Sequence, residues 1–402
     1  MQEYTGSRNN IDCIKISTIE RLNKMPAYTE KELLRLAKRI NNTKRTYLLV
    51  DPLQAKHMPV SPSAALSMMR TLGDKTASLY PETRLVIGFA ETATAISAAV
   101  AGCISDDCNY IHTTREDIAG VDDWIEFLEE HSHAAEQKLF SGHFSHLLAS
   151  TQTVVFVDDE LSTGKTLLNI IEKLKKEFPE LAEKKLVAAS VINRVSDENT
   201  AMMKEAGVES ICLLKLEDED HTKAVESINV HSADKVKAEY GTFPVCAEYP
   251  VPDARLGVCI GEYDRILSEI SCDFINSNRI NVYGKVLVIG TEEAMYPSVI
   301  LAKHIEDLGI AESVKCHSTT RSPIGISGDE DYPIRSGSRI HSFYNDDRAT
   351  FIYNIEEYDT AIIFTDAVSP RQKAVSDLVS LIKDKGCDNI LFVKGAENVQ
   401  HI

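Results

Sequence analysis

The sequence lacks the features that mark membrane, secreted or zinc-binding proteins. No apolar run approaches the roughly 20 residues that a helix needs to cross a bilayer. The polar start, Met1–Asp12, has no apolar core of a secretory signal. The nine cysteines form no CxxC pair and are odd in number, which favours free thiols in a reducing compartment. We therefore expect a cytoplasmic protein without a structural zinc site.

Positive charge is also scarce. The chain has 43 Lys and Arg against 61 Asp and Glu, a formal net charge of −18. Binding to nucleic acid depends on Lys and Arg that replace counterions, so we expect no nucleic-acid partner, and no membrane partner either. This balance is typical of a soluble enzyme that holds anionic ligands in small, locally positive sites. Homodimer formation is left open.

Strand-like apolar runs alternate with helix-like runs through most of the chain, which predicts parallel βαβ units. In such sheets ligands gather at the carboxyl ends of the strands. The prolines of Tyr249–Pro252 interrupt the alternation, which then restarts. We therefore predict two α/β domains, residues 1–248 and 255–402.

One run of thirteen residues, Val154–Thr166, carries the clearest chemistry. Four apolar residues predict a buried strand, and Asp158 and Asp159 follow at its end. Adjacent carboxylates can accept hydrogen bonds from two neighbouring ribose hydroxyls. A turn that opens a helix comes next, where backbone N–H groups and the helix dipole favour a phosphate. The candidate phosphate-binding residues of this turn are Ser162, Thr163, Gly164, Lys165 and Thr166.

Two other interpretations of this run are open. Gly164-Lys165-Thr166 resembles the end of a P-loop, but that motif requires glycine at position 159, where this chain has aspartate. The run could also be an acidic strand end whose helix is capped by Ser or Thr. Neither alternative uses the carboxylates and the small turn together, as a ribose 5-phosphate site does.

The Val154–Thr166 run resembles the signature that binds 5-phosphoribosyl-1-pyrophosphate (PRPP) in type I phosphoribosyltransferases. The acidic pair and the phosphate loop both match, whereas Glu160 departs from the usual small or apolar residue. Thr319–Pro323 looks like the signature of the TRSP domain. That domain is fused behind an orotate phosphoribosyltransferase-like subfamily found in gene clusters associated with tellurium resistance. Lys56–Pro59, Thr113–Glu116 and 129–134 also resemble this subfamily.

The resemblance implies a type I phosphoribosyltransferase fold, a parallel sheet flanked by helices, followed by a second Rossmann-like α/β domain. The implied enzyme uses PRPP and Mg²⁺ to transfer a phosphoribosyl group to a base-like small molecule, or removes the group by pyrophosphorolysis. Mg²⁺ would bind mainly through the pyrophosphate and the ribose hydroxyls, so no metal ligand is assigned. The alternative function is a non-catalytic PRPP-sensing regulatory module.

The resemblance also assigns roles outside the main run. The pyrophosphate loop would comprise Ala90, Glu91, Thr92, Ala93 and Thr94, although this could be an ordinary helix N-terminus. Arg115 would stabilise charge on pyrophosphate, and a mobile loop is expected between it and Ser150. The catalytic candidates on that loop are His131 and His133. The acceptor-side candidates are Lys56 and His57.

A second site is predicted in the second domain. Polar residues follow several of its strands and could converge at one crevice. Arg321 with its neighbours forms a candidate anion-binding turn, although Pro323 could equally brace a structural turn. The candidate residues are Glu292, Thr319, Thr320, Arg321 and Ser322.

Overall fold

The computed structural model describes residues 26–40, 42, 45–127, 137–277 and 281–396. The first half contains α1 (Glu30–Leu33), β1 (Arg35–Lys38), β2 (Tyr47–Val50), α2 (Pro62–Leu79), β3 (Thr83–Gly88), α3 (Thr94–Ile104), β4 (Asn109–His112), β5 (Trp124–Phe127), β6 (Gln137–Phe140), α4 (Phe144–Ala149), β7 (Thr153–Leu161), α5 (Lys165–Glu177), β8 (Lys185–Asn193), α6 (Asp197–Glu205), β9 (Val208–Lys215) and α7 (Thr222–Glu226).

The remaining elements are β10 (Asp234–Lys235), β11 (Ala247–Tyr249), β12 (Val258–Cys259), α8 (Ile260–Asn276), β13 (Lys285–Gly290), α9 (Met295–Leu308), β14 (Ser313–Ser318), β15 (Gly337–His341), β16 (Ala349–Tyr353), β17 (Thr360–Thr365), α10 (Gln372–Asp384) and β18 (Asn389–Gly395). In the part of the chain that the structure describes, no helix is both long and apolar enough to span a membrane.

The first sheet has the strand order β12-β4-β3-β7-β8-β9, and all strands but β12 are parallel. Its central strands are apolar on both faces, so helices must cover both sides. Val86 and Val155 pack in the same core as α2 and α3, whereas Leu85 and Val154 pack in the core of α5. The expected parallel βαβ layout is therefore present.

The second sheet is wholly parallel, with the order β11-β18-β17-β13-β14. Val286 and Val288 face α9, while Leu287 and Ile289 face α10. The core around α9 is continuous with that around α2 and α3, because one cluster of buried side chains includes all three helices. The two sheets thus share part of one hydrophobic core.

Strands near the middle of the chain pair across the predicted domain boundary. β10 and β11 come before residue 250 but pair with β15 and β18 of the second half. β12 comes after residue 255 but pairs with β4 of the first sheet. The domain limits 1–248 and 255–402 stay a prediction. The short strands on either side of the boundary each pair with strands of the opposite half of the chain.

Candidate functional site

The acidic pair lies on a part of β7 that β3 no longer covers. The pairing of β3 with β7 ends at Gly88 and Val157, whereas β7 continues beside β8 to Leu161. One edge of Asp158 and Asp159 is therefore open toward the loop that follows β3. Burial, together with the charge of Asp159, raises the pKa of Asp158 well above its usual range. A ligand with hydroxyl donors would offset this crowding of negative charge.

The turn after β7 has a conformation that requires glycine. Gly164 precedes α5 with φ of 73°, and a methyl group on its Cα would lie 2.8 Å from Met203 Sδ. Gly164 provides no side-chain cap for α5, and Lys165 N donates to Thr163 Oγ1 at 3.3 Å. An anion at this helix end would therefore bind through the other N–H groups of the first turn. Thr163, Lys165 and Thr166 are exposed around this helix end. The turn thus has the geometry of a phosphate loop.

A cleft of about 220 Å³ joins the acidic pair, the turn and the loop after β3. Thr92 Oγ1 donates a hydrogen bond to Asp159 Oδ1 at 2.8 Å, which ties the two loops together. Gln137 enters from β6, and Thr113 Oγ1 donates to its Oε1 at 2.6 Å. The predicted residues that line this cleft are Ala90, Thr92, Asp158, Asp159, Ser162, Thr163, Gly164 and Thr166.

The third carboxylate of the run, Glu160, is held by two arginines. Arg45 Nη2 lies 2.7 Å and Arg194 Nε lies 2.7 Å from its Oε1. Arg194 comes directly after β8, so its position at a strand end was a signal available in the sequence. Arg45 comes from the loop between β1 and β2 and had no such signal. The two guanidinium groups neutralise the residue that departs from the family signature.

The remaining residues of the loop after β3 turn away from the cleft. Glu91 is buried, and Lys56 Nζ lies 3.1 Å from its Oε1. Despite burial, Lys56 and then Arg321 hold the pKa of Glu91 below its usual value. Thr94 Oγ1 donates to the Glu293 carbonyl at 3.0 Å, and Ala93 is fully buried. These residues anchor the loop, while Ala90 and Thr92 face the cleft.

The acceptor-side candidates lie beneath the same loop. Lys56 is fully buried, and its Nζ also donates to the Glu292 carbonyl at 2.7 Å. His57 is buried, and neither ring nitrogen has a hydrogen-bond partner among the described residues. Burial, then the charge of Lys56, lowers the pKa of His57 to about 4. Asp51, which the sequence analysis missed, is buried nearby, and burial raises its pKa to about 7.

The second-domain candidates come together, but their partners are groups of the protein. Thr320 Oγ1 and the Arg321 amide both donate to Glu91 Oε1, at 2.8 and 3.0 Å. The Arg321 side chain contacts Glu91, Glu116 and Glu292. Thr319 Oγ1 accepts from the Glu292 amide at 2.9 Å, and Ser322 N donates to Thr320 Oγ1 at 3.2 Å. A ligand at these residues stays a prediction, since an anion would have to displace buried carboxylates.

The predicted catalytic residues are only partly described. The Arg115 side chain is exposed, and its amide donates to Glu293 Oε1 at 3.1 Å. His131 and His133 lie outside the described residues. Within the described ranges, no group of three or more His, Cys, Asp or Glu side chains is arranged to hold a metal ion.

Two family models match the chain, one in each half. Residues 33–216 match the family model described as phosphoribosyl transferase, and residues 253–382 match the TRSP domain that lies C-terminal to it. The expected fold class, a type I phosphoribosyltransferase fold followed by a Rossmann-like α/β domain, is confirmed. No curated protein matches the chain.

Several solved structures are similar to part of this chain. Adenine phosphoribosyltransferase from Thermoanaerobacter pseudethanolicus is 14% identical, with a TM-score of 0.34, over 46% of this chain and 97% of that one. Orotate phosphoribosyltransferase from Aeropyrum pernix is 17% identical, with a TM-score of 0.27, over 38% and 73%. Adenine phosphoribosyl transferase from Trypanosoma brucei, in complex with AMP, pyrophosphate and ribose-5-phosphate, is 18% identical, with a TM-score of 0.28, over 42% and 73%.

Proposed function

Because this chain belongs to the family in which a TRSP domain follows a phosphoribosyl transferase domain, we propose that it transfers a 5-phosphoribosyl group between pyrophosphate and a base-like small molecule. The observation that carries the proposal is the single cleft that joins an open acidic strand end to an uncapped helix N-terminus. These two features suit the hydroxyls and the 5-phosphate of one sugar.

Each end of the cleft has its own task. Asp158 and Asp159 accept hydrogen bonds from the ribose hydroxyls, and the turn before α5 binds the 5-phosphate through its amides. Thr92 keeps Asp159 beside the loop after β3, where the backbone of Ala90–Thr92 faces the pyrophosphate. The exposed Arg115 then approaches the pyrophosphate and balances its growing charge. With the sugar held at both ends, its C1 atom is presented to the acceptor in a fixed orientation.

The residues present also fit Mg²⁺. This ion retains several waters and binds through one or two carboxylates together with substrate phosphates. The ion would bind mainly through the pyrophosphate and the ribose hydroxyls, with Asp158 and Asp159 as the neighbouring carboxylates, since Glu160 is already paired with Arg45 and Arg194. Mg²⁺ would neutralise pyrophosphate as a leaving group, whereas the protein orients the sugar.

The acceptor side is the region beneath the loop after β3. His57 and Asp51 are buried there without complete hydrogen bonding among the described residues. We propose that His57 serves the acceptor, and that Lys56 positions the loop through Glu91. Pyrophosphorolysis would use the same groups in reverse. Three other expectations also stay proposals: a cytoplasmic location, an acid or base role for His131 and His133, and the association with tellurium resistance.

Thermal unfolding with PRPP and Mg²⁺ tests the site. Ligand that binds only the folded state stabilises it, by about 2.7 kcal/mol at one hundred times Kd. We expect PRPP to raise the Tm of the wild type, and Asp158→Asn with Asp159→Asn to abolish that shift. Asp106→Asn with Asp107→Asn is the matched control, because this adjacent pair is exposed and is not among the residues that line the cleft. Equal shifts in all three proteins would refute the ribose assignment.

A turnover assay distinguishes an enzyme from a PRPP-sensing module. The protein is incubated with PRPP, Mg²⁺ and a metabolite extract, and mass spectrometry identifies any compound that gains a phosphoribosyl group. A product that forms with the wild type but not with the acidic double variant supports transfer. Binding of PRPP without any product would favour the sensing module.

A further inference from the structure

The second sheet has a strand-end crevice of its own. From β13 the chain passes through α9 to β14 on one side, and later returns to β17 on the other side. The connections therefore diverge between β13 and β17. In open parallel sheets, ligands bind outside the carboxyl ends of the strands at such a switch point.

A cavity of about 370 Å³ opens at this position. Asp366 and Ser369, which follow β17, line it together with Arg371, Tyr344, Asp253 and Arg255. Residues 116–119 of the first half complete the wall, and no residue is shared with the lining of the cleft beside Asp158. The volume lies within the range that small-molecule sites occupy. The cavity is therefore a separate site.

The buried cation of this cavity is incompletely paired. Arg255 is 2% exposed, and its Nε lies 2.8 Å from Glu293 Oε2 while its Nη1 lies 2.8 Å from Asp366 Oδ2 and 3.2 Å from Asp253 Oδ1. Its Nη2 is buried and has no hydrogen-bond partner among the described residues. An unpaired buried donor is costly, so a ligand acceptor at Nη2 would be favourable.

A second cation lies where α10 begins. Arg371 is exposed, and its Nε donates to the Tyr344 carbonyl at 3.3 Å and lies 3.7 Å from Asp346 Oδ2. The ring of Tyr344 also lies under Arg255, with 5.6 Å between Cζ and the ring centre, so one residue connects both arginines. No side chain caps the start of α10, which leaves N–H groups for an anion next to Arg371.

We propose that this cavity binds a sugar phosphate, with the phosphate at Arg371 and the start of α10 and the sugar hydroxyls at Asp366 and Asp253. The guanidinium groups and the helix N-terminus supply the attraction for an anion. The carboxylates would repel an anion without hydroxyls, but they accept hydrogen bonds from a hydroxylated one. The site is independent of the proposed transferase reaction, because it uses different residues.

Calorimetric titration of the full chain tests the site. The acidic double variant, Asp158→Asn with Asp159→Asn, serves as the background, and the probes are ribose 5-phosphate, ribose and inorganic phosphate. We expect this background to bind ribose 5-phosphate more tightly than either fragment. Adding Arg371→Ala should weaken that binding about tenfold or more, because a charge-assisted hydrogen bond is lost. Adding Arg265→Ala, an exposed arginine on α8, should leave it unchanged.

The outcomes separate this site from the transferase site. Unchanged ribose 5-phosphate binding after Arg371→Ala, or no binding in the background variant, would overturn the second site. Equal affinity for inorganic phosphate and ribose 5-phosphate would overturn the assignment to a sugar phosphate. The proposed transferase site fails instead if the acidic double variant retains the PRPP-induced Tm shift. Because Arg371 is exposed, Arg371→Ala should not unfold the protein. If this variant and the background variant unfold at the same urea concentration, a loss of ribose 5-phosphate binding reflects a local change.

Discussion

Arg321→Met is the substitution whose effect on stability follows most directly from the structure. The Arg321 side chain is 13% exposed and contacts carboxylates of Glu91, Glu116 and Glu292. Arg348 also contacts Glu116 and Glu292, at 2.6 and 2.8 Å, and Lys56 contacts Glu91. Methionine would retain much of the volume but would leave these three buried carboxylates with one cation fewer.

The expected loss is about 3–5 kcal/mol at pH 8, the usual cost of removing one partner from a buried ion pair. Burial, with the charges of Glu293 and Glu292, raises the pKa of Glu116 to about 7. The folded state therefore retains a proton that the unfolded chain releases near pH 4.5, and stability falls as pH rises from there through about 7. Without Arg321 the pKa of Glu116 should rise further, so this fall extends to higher pH. The loss should thus be smaller at pH 5, where Glu116 is protonated, although Glu91 remains charged.

Urea unfolding of the full chain at pH 5 and pH 8 measures this difference. Arg335→Met is the matched control, because Arg335 is an exposed arginine of the same half and should change stability by less than about 0.5 kcal/mol. A loss for Arg321→Met no larger than that of the control would refute the structural role of the cluster. The same loss at both pH values would refute the contribution of Glu116.

Two further predictions concern the cleft. Gly164→Ala should weaken PRPP binding and lower the Tm, because it combines φ of 73° with a methyl group 2.8 Å from Met203 Sδ; a titration matching the wild type would contradict this. Arg115→Ala should reduce kcat while PRPP affinity changes little, since the exposed side chain acts on developing charge. Steady-state kinetics and a direct PRPP titration measure the two quantities. A loss of PRPP affinity with unchanged kcat would contradict this role of Arg115.

The regular elements were largely predictable because their signals are local. The four apolar residues Val154–Val157, which predict a buried strand, lie within β7. The strand predicted to end at Val157 continues to Leu161, since β8 pairs with the acidic residues themselves. Hydrophobic runs predict where a buried strand lies, but pairing with a neighbour determines where it ends.

The contacts between the two halves were not predictable in this way. Glu91 was expected at the pyrophosphate and Arg321 at an anionic ligand, yet the structure pairs them with each other across 230 positions of sequence. Which strand ends meet depends on how two sheets pack, and no spacing within either motif reports it. The exchanged strands β11 and β12 are also too short to give a periodic signal.

A repeated sequence pattern has a packing explanation. Leu85–Glu91 and Leu287–Glu293 both place a glycine at the end of a strand and an acidic residue before a helix. A methyl group on Gly88 would lie 2.1 Å from Ser97 Oγ, and one on Gly290 would lie 2.5 Å from Ser298 Oγ. In both sheets the following helix therefore approaches the strand end too closely for any larger residue. Close packing accounts for the pattern in both sheets.

The acidic residues of these two turns connect the sites reciprocally. Glu91 of the first half accepts hydrogen bonds from Thr320 and Arg321 of the second. Glu293 of the second half accepts from Thr114 Oγ1 at 2.7 Å and from the Arg115 amide at 3.1 Å. Each strand-end loop is thus held partly by groups of the opposite half of the chain. Because buried polar groups must remain paired, a ligand that moves either loop must also move or break hydrogen bonds of the other.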